Sequence, residues 1–163
     1  MRKVAFVITG LISSIIIICC NKKSQPAFDN KFFKGTWTYR SLNNYPIDTP
    51  FCHLEFATAV MKFDSISNDS IFGILDMGEG SALNLKGKIN LCDTVYSFYI
   101  RGIGVPNSST DNWEYDYQGY VIPKWKNGIN QVDACVGSVI RAKPHGSSKA
   151  GKTASFYITK KQP

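Results

Sequence analysis

With 163 residues, of which 44% are hydrophobic and 13% aromatic, the chain can build one cored domain but not comfortably two. Its formal charge is +7; without Arg2 and Lys3, 17 basic residues stand against 12 acidic ones, or +5, while residues 37–140 hold 7 basic against 11 acidic, or −4. The positive charge therefore collects at the two chain ends, apart from the strands that hold most of the aromatic residues, which argues against a nucleic-acid-binding face.

The first segment has the build of a secretory signal: Arg2 and Lys3, then an uncharged apolar run over residues 4–18, "VAFVITGLISSIIII". Two adjacent cysteines, Cys19 and Cys20, end the run before "NKKSQP". This junction resembles the lipobox of bacterial lipoproteins, with Ile17 as the aliphatic residue, Cys19 in the small-residue position and Cys20 as the lipidated residue. Modification at Cys19 is the alternative, with Ile18 at the cleavage point, and an uncleaved transmembrane anchor is another. The lipoprotein resemblance implies removal of residues 1–19, an acyl anchor on Cys20 and a place in the cell envelope, on the outer membrane of a Gram-negative bacterium.

Residues 20–30 read as a short flexible tether, since "KKSQPAFDN" is polar and carries a proline. The folded domain is expected over 31–163. Within it no long window has a helical period, while short alternating runs follow one another between Gly, Asn, Asp and Pro. Strands are expected at 35–41, 54–63, 70–77, 82–89, 94–102, 113–122, 135–142 and 152–159.

The connections carry turn chemistry, as in "SNDS" at 67–70, "GEGS" at 78–81 and "KNGINQ" at 126–131. Strands so close in sequence pair antiparallel, and no stretch suits a parallel crossover. The fold class is therefore all-β, an eight-stranded antiparallel up-and-down barrel, which leaves no unpaired edge.

The first strand opens with "GTW" at 35–37. A Gly-x-Trp at the head of the first of eight strands resembles the calycin superfamily, the barrels that include lipocalins and avidins, and implies that Trp37 plugs a closed end. Likeness to the avidin branch runs through "FDSISNDSIFGIL", "GSALNLKGKI", "NWEYDYQGY" and "GKTASFYITK". Two departures speak against biotin: Tyr39 stands where avidins carry a small polar residue, and the last strand lacks their carboxylate. Trp113 is the recognition position that matches.

Alternation along the strands nominates a pocket lining. Trp113, Tyr115 and Tyr117 share one face, and Tyr99 and Arg101 share a face of the preceding strand. With Tyr39 they form the expected ligand-binding set, suited to a flat or amphiphilic molecule with an acidic or carbonyl group, Arg101 supplying the charge. A barrel filled by its own side chains is the alternative.

Other chemistry finds less support. His53 and His145 are the only histidines, and no nucleophile stands beside either at a telling spacing. Cys52, Cys92 and Cys135 lack the paired short spacings of a zinc site, so no metal and no cofactor are expected, and a disulfide between two of the three stays open. No catalytic residue is assigned; Tyr115, Asp116 and His145 are the nearest to an acid–base set. The loops "GVPNSSTDN" and "KPHGSSKAGK" keep a protein-interaction role as the second reading. In an even-stranded barrel both chain ends share a rim, which places Lys31, Lys34, Lys160 and Lys161 beside the anchor and its anionic head groups.

Overall fold

A computed structural model describes residues 32–45, 49–92 and 95–161. The signal segment, Cys20, the tether and Lys31 lie outside the described residues. The strands are β1 (Gly35–Asn43), β2 (Glu55–Ser67), β3 (Ser70–Asp76), β4 (Ala82–Cys92), β5 (Val95–Gly104), β6 (Glu114–Val121), β7 (Ala134–Arg141) and β8 (Thr153–Lys160), with a 3₁₀ turn at Phe51–His53. Each is antiparallel to the next, and β8 closes on β1. The expected eight-stranded up-and-down barrel is the architecture found.

Strand bounds differ most in β2, which runs on to Ser67. The polar run after Phe63 looks like a turn in the sequence, yet a bulge at Asp64 re-sets the register so that Ser65, Ile66 and Ser67 pair with Phe72, Ile71 and Ser70. The reversal takes only Asn68 and Asp69, with Asn68 at φ 54°, a conformation its side chain tolerates.

Alternation decides what fills the barrel. Trp37, Tyr39 and Ser41 of β1, Met61 and Phe63 of β2, Phe98 and Ile100 of β5 and Phe156 and Ile158 of β8 are all buried. Gly87 and Gly137 let neighbouring strands close tightly: a Cβ there would lie 2.1 Å from the backbone oxygens of Tyr99 and Gln118 respectively.

One end is plugged. Phe33 and Trp37 are fully buried, Trp37 Nε1 donates to the Phe33 carbonyl over 2.8 Å, and Phe33 meets Phe63 and Phe98 edge-on. Aromatic side chains of this size each bury roughly 150–250 Å². The chain reaches this floor through Gly35, whose φ of 122° few other residues adopt. Trp37 thus sits behind a Gly-Thr pair because the chain must turn sharply there before the indole can lie across the barrel.

The last strand ties itself to the same end. Lys160 Nζ donates to the Phe32 carbonyl at 2.5 Å and lies over the Trp37 ring, and the Lys161 amide donates to Thr36. Phe32 and Lys161, the first and last described residues, are therefore both at the floor. The opposite end, the mouth, is built by the β1–β2, β3–β4, β5–β6 and β7–β8 connections.

Candidate ligand pocket

The upper half of the barrel holds a cavity of about 240 Å³. Tyr39, Tyr115 and Tyr117 line it from β1 and β6 because they fall on the inward phase of their strands, and Trp113, just before β6, leans over it from the mouth. The rings pack on one another: Tyr39 meets Tyr117 edge-on at 6.0 Å and stacks on Phe156 at 5.7 Å, while Trp113 meets Tyr115 at 6.3 Å. Burial pushes the Tyr39 and Tyr117 phenols well above their ordinary range, so both stay neutral.

The expected set of six divides here. Tyr39, Trp113, Tyr115 and Tyr117 come together, whereas Tyr99 and Arg101 stand on the outer surface, and Arg101 is not the charge of the pocket. In β5 the inward phase belongs to Phe98, Ile100 and Gly102, since burying those apolar groups costs no desolvation of a cation. Arg101 instead grips Asp116 on the neighbouring strand through Nε and Nη2, at 2.8 and 3.1 Å, and also donates to the Tyr99 hydroxyl. Asp116 is outward too, which leaves Tyr115 and His145 alone of the three residues nearest to an acid–base set.

The cation in the cavity is Arg141, at the mouth end of β7 on the same face as Cys135 and Val139. The strand pattern shows that the three share a face, but not that the face is the inner one, and at a strand's end a long basic side chain ordinarily reaches for water. Only 6% of it is exposed. Its Nε donates to the Tyr115 hydroxyl over 3.2 Å and its Nη1 to the Lys149 carbonyl over 3.3 Å. The guanidinium lies 5.8 and 5.7 Å from the Phe56 and Tyr115 ring centres. Among the described residues it has no carboxylate partner, and Nη2 makes no hydrogen bond.

His145 closes one side of the mouth. The β7–β8 loop doubles back there, His145 and Ser148 exchanging backbone hydrogen bonds at 3.1 and 3.0 Å around Gly146 at φ 55°. The imidazole stacks on Trp113 with centroids 4.1 Å apart and planes 16° off parallel. Its Nε2 lies 2.7 Å from the Tyr115 hydroxyl. Arg141 Nε donates to the same oxygen, which has a lone pair for each neighbour, so the imidazole tautomer decides which of Tyr115 and His145 donates. Burial, then the nearby Arg141 charge, lowers the His145 pKa below its ordinary value.

Apolar walls from Leu75, Leu83 and Ala57 complete the cavity, and among the described residues no carboxylate lines it. The arrangement can take the flat apolar part of a small molecule between aromatic rings and an acidic group against Arg141. Cys52, exposed beside the mouth, and Cys135, buried near the floor, are free thiols. No protein-family model matches the chain, and no curated protein matches it.

Proposed function

We propose that this is a binding protein whose calycin-like barrel holds a small flat or amphiphilic carboxylate in the mouth cavity. The observation that carries the reading is Arg141, a buried cation with no acid partner among the described residues, in an aromatic-lined hollow. Desolvating a charge without pairing it is unfavourable, so such a group is best explained by an anion that arrives from outside. Size supports a modest ligand: a cavity of roughly 150 Å³ holds benzene, and the 240 Å³ here suits a ring or short chain with a carboxylate.

The lipoprotein-like N-terminal segment supports a second part of the proposal, a protein held on the cell envelope by lipid on Cys20. Since the chain enters the barrel at its floor, the mouth opens away from that anchor. Titration with benzoate, phenylpropionate and octanoate, followed by Trp113 emission and native mass spectrometry, tests the binding reading. Saturable binding of at least one acid, and none of the matching amides, is expected; no binding of any of them overturns it. Exposed Tyr45 and Phe51 on the mouth-side β1–β2 connection favour protein interaction as the second reading, in which a mouth-loop partner is captured and no small acid binds.

A further inference from the structure

The β6–β7 connection at the floor takes no part in the pocket and carries two of the most exposed apolar side chains among the described residues, Trp125 at 63% and Ile129 at 86%. The segment is held in one shape. Gln131 clamps the Trp125 backbone from both sides, Oε1 accepting from its amide at 2.9 Å and Nε2 donating to its carbonyl at 2.8 Å. Gly128 donates to that carbonyl as well, at 3.0 Å, and a Cβ at Gly128 would collide with Gln131 at 2.0 Å. Lys124 and Asp133 pair across the base of the loop at 2.7 Å. A loop built to display an indole and an isoleucine in water is unfavourable unless something covers them.

Position and charge identify the cover. The Lys160 amide donates to the Asp133 carbonyl, which ties the base of this loop to the end of β8, and Lys160 in turn holds the Phe32 carbonyl, where the chain arrives from the 31 residues that precede it. Those residues include the uncharged apolar run over 4–18. The same end presents Lys34, Lys126 and Lys161, none of them in an ion pair among the described residues. An exposed tryptophan and isoleucine ringed by lysines, at the end of the barrel that continues into an apolar segment, match the chemistry of a bilayer interface: indole at head-group depth and ammonium groups against anionic lipid.

We propose that the floor of the barrel is a lipid-contacting face, the loop around Trp125 inserting its apolar tip into the head-group region of an anionic bilayer. The face seats the barrel upright on the membrane with its mouth towards solvent. It rests on the reading of the N-terminal segment as a membrane anchor and is independent of what the mouth binds.

The test uses the full chain reconstituted on phosphatidylcholine vesicles containing about a third phosphatidylglycerol, with or without bromine on the upper acyl carbons. Trp125→Phe isolates the Trp125 emission by difference, Trp37 being buried and Trp113 lying at the far end; equal melting temperatures certify that the variant folds. The expected result is Trp125 emission that brominated lipid quenches strongly and aqueous iodide does not, with the lipid quenching lost on phosphatidylcholine alone. A chain that floats with the vesicles while Trp125 stays open to iodide and untouched by bromine overturns the inserted loop and leaves the anchor standing. Failure of the chain to float at all removes the anchor beneath both. Trp125 shielded from iodide without bromine quenching overturns the proposal in favour of a second copy or a protein covering the loop.

Discussion

Arg141 faces Tyr115 across the β6–β7 ladder and donates from Nε to its hydroxyl, so the buried cation is aimed by a neighbour that carries no charge. The contact orients the guanidinium without neutralising it. Nε and Nη1 are engaged by Tyr115 and Lys149, which leaves Nη2 without a partner among the described residues as the donor for a carboxylate in the cavity.

Arg141→Met is therefore expected to weaken an aromatic carboxylate by about 1.5–3 kcal/mol, the worth of hydrogen bonds to a charged group, or roughly 10- to 150-fold. Arg141→Lys keeps the charge and loses the fork, and should fall between. Calorimetry on variants whose melting temperatures have been checked measures both. Equal affinity in Arg141→Met and the parent chain sinks the assignment.

Arg101→Leu should leave the same affinity unchanged. Its bidentate pair with Asp116 lies on the outer face, half open to water, where ion pairs contribute about 0.2–1 kcal/mol. Asp116 is held below its ordinary carboxylate pKa of 3.8, mainly by the Arg101 hydrogen bonds. That stabilisation is present above about pH 4 and fades as the pH falls through the lowered value, because the unfolded chain takes up the proton first. Melting curves between neutral and acid pH should show the difference between parent and Arg101→Leu shrinking at the acid end.

His145 behaves in the opposite chemical sense with the same direction of pH. Its folded pKa lies below the ordinary 6.5, so its contribution is fully present above that value and is lost as the pH falls through the folded value, when the imidazole must charge beside Arg141. The melting temperature should be level above neutral pH and decline in mild acid, with a weaker decline in His145→Gln. A His145→Gln profile that overlays the parent profile refutes the linkage.

Trp37→Ala should destabilise the domain by about 3–5 kcal/mol, a large share of what one domain has. Trp37→Phe retains most of the apolar area and removes the hydrogen bond to the Phe33 carbonyl, for a loss of about 0.5–1.5 kcal/mol. His53→Ala, on an exposed turn, should change little. Denaturant unfolding ranks the three, and a Trp37→Ala midpoint equal to that of His53→Ala is incompatible with the plugged floor.

Gly137→Ala tests the closeness of β6 and β7. The added methyl would meet backbone, the Gln118 carbonyl and the Gly119 Cα, neither of which can swing aside as a side chain does. A loss of about 1–3 kcal/mol or more is expected from the same denaturant curves.

Most of the architecture was already in the sequence. Period-two alternation, turn residues at short intervals and the absence of any crossover-length helix leave antiparallel neighbours as the natural pairing, and eight such strands close on themselves. Gly35 and Trp37 marked the floor because only a residue free of Cβ turns the chain there and only a large ring spans the end. That Tyr115 and Tyr117 share one face of β6 was legible too, since alternation is a local property of the strand. The charge of the pocket was not. Arg101 and Arg141 both alternate with apolar residues, and a strand pattern says which residues share a face but not which face is inside; that depends on the neighbouring strands, through Asp116 waiting outside for Arg101 and Tyr115 and Phe56 shaping a niche inside for Arg141. His145 reaches Trp113 across 32 residues of sequence because the β5–β6 and β7–β8 connections meet at one end of a closed cylinder. Local periodicity is written residue by residue, whereas the meeting of distant side chains exists only once the barrel has closed.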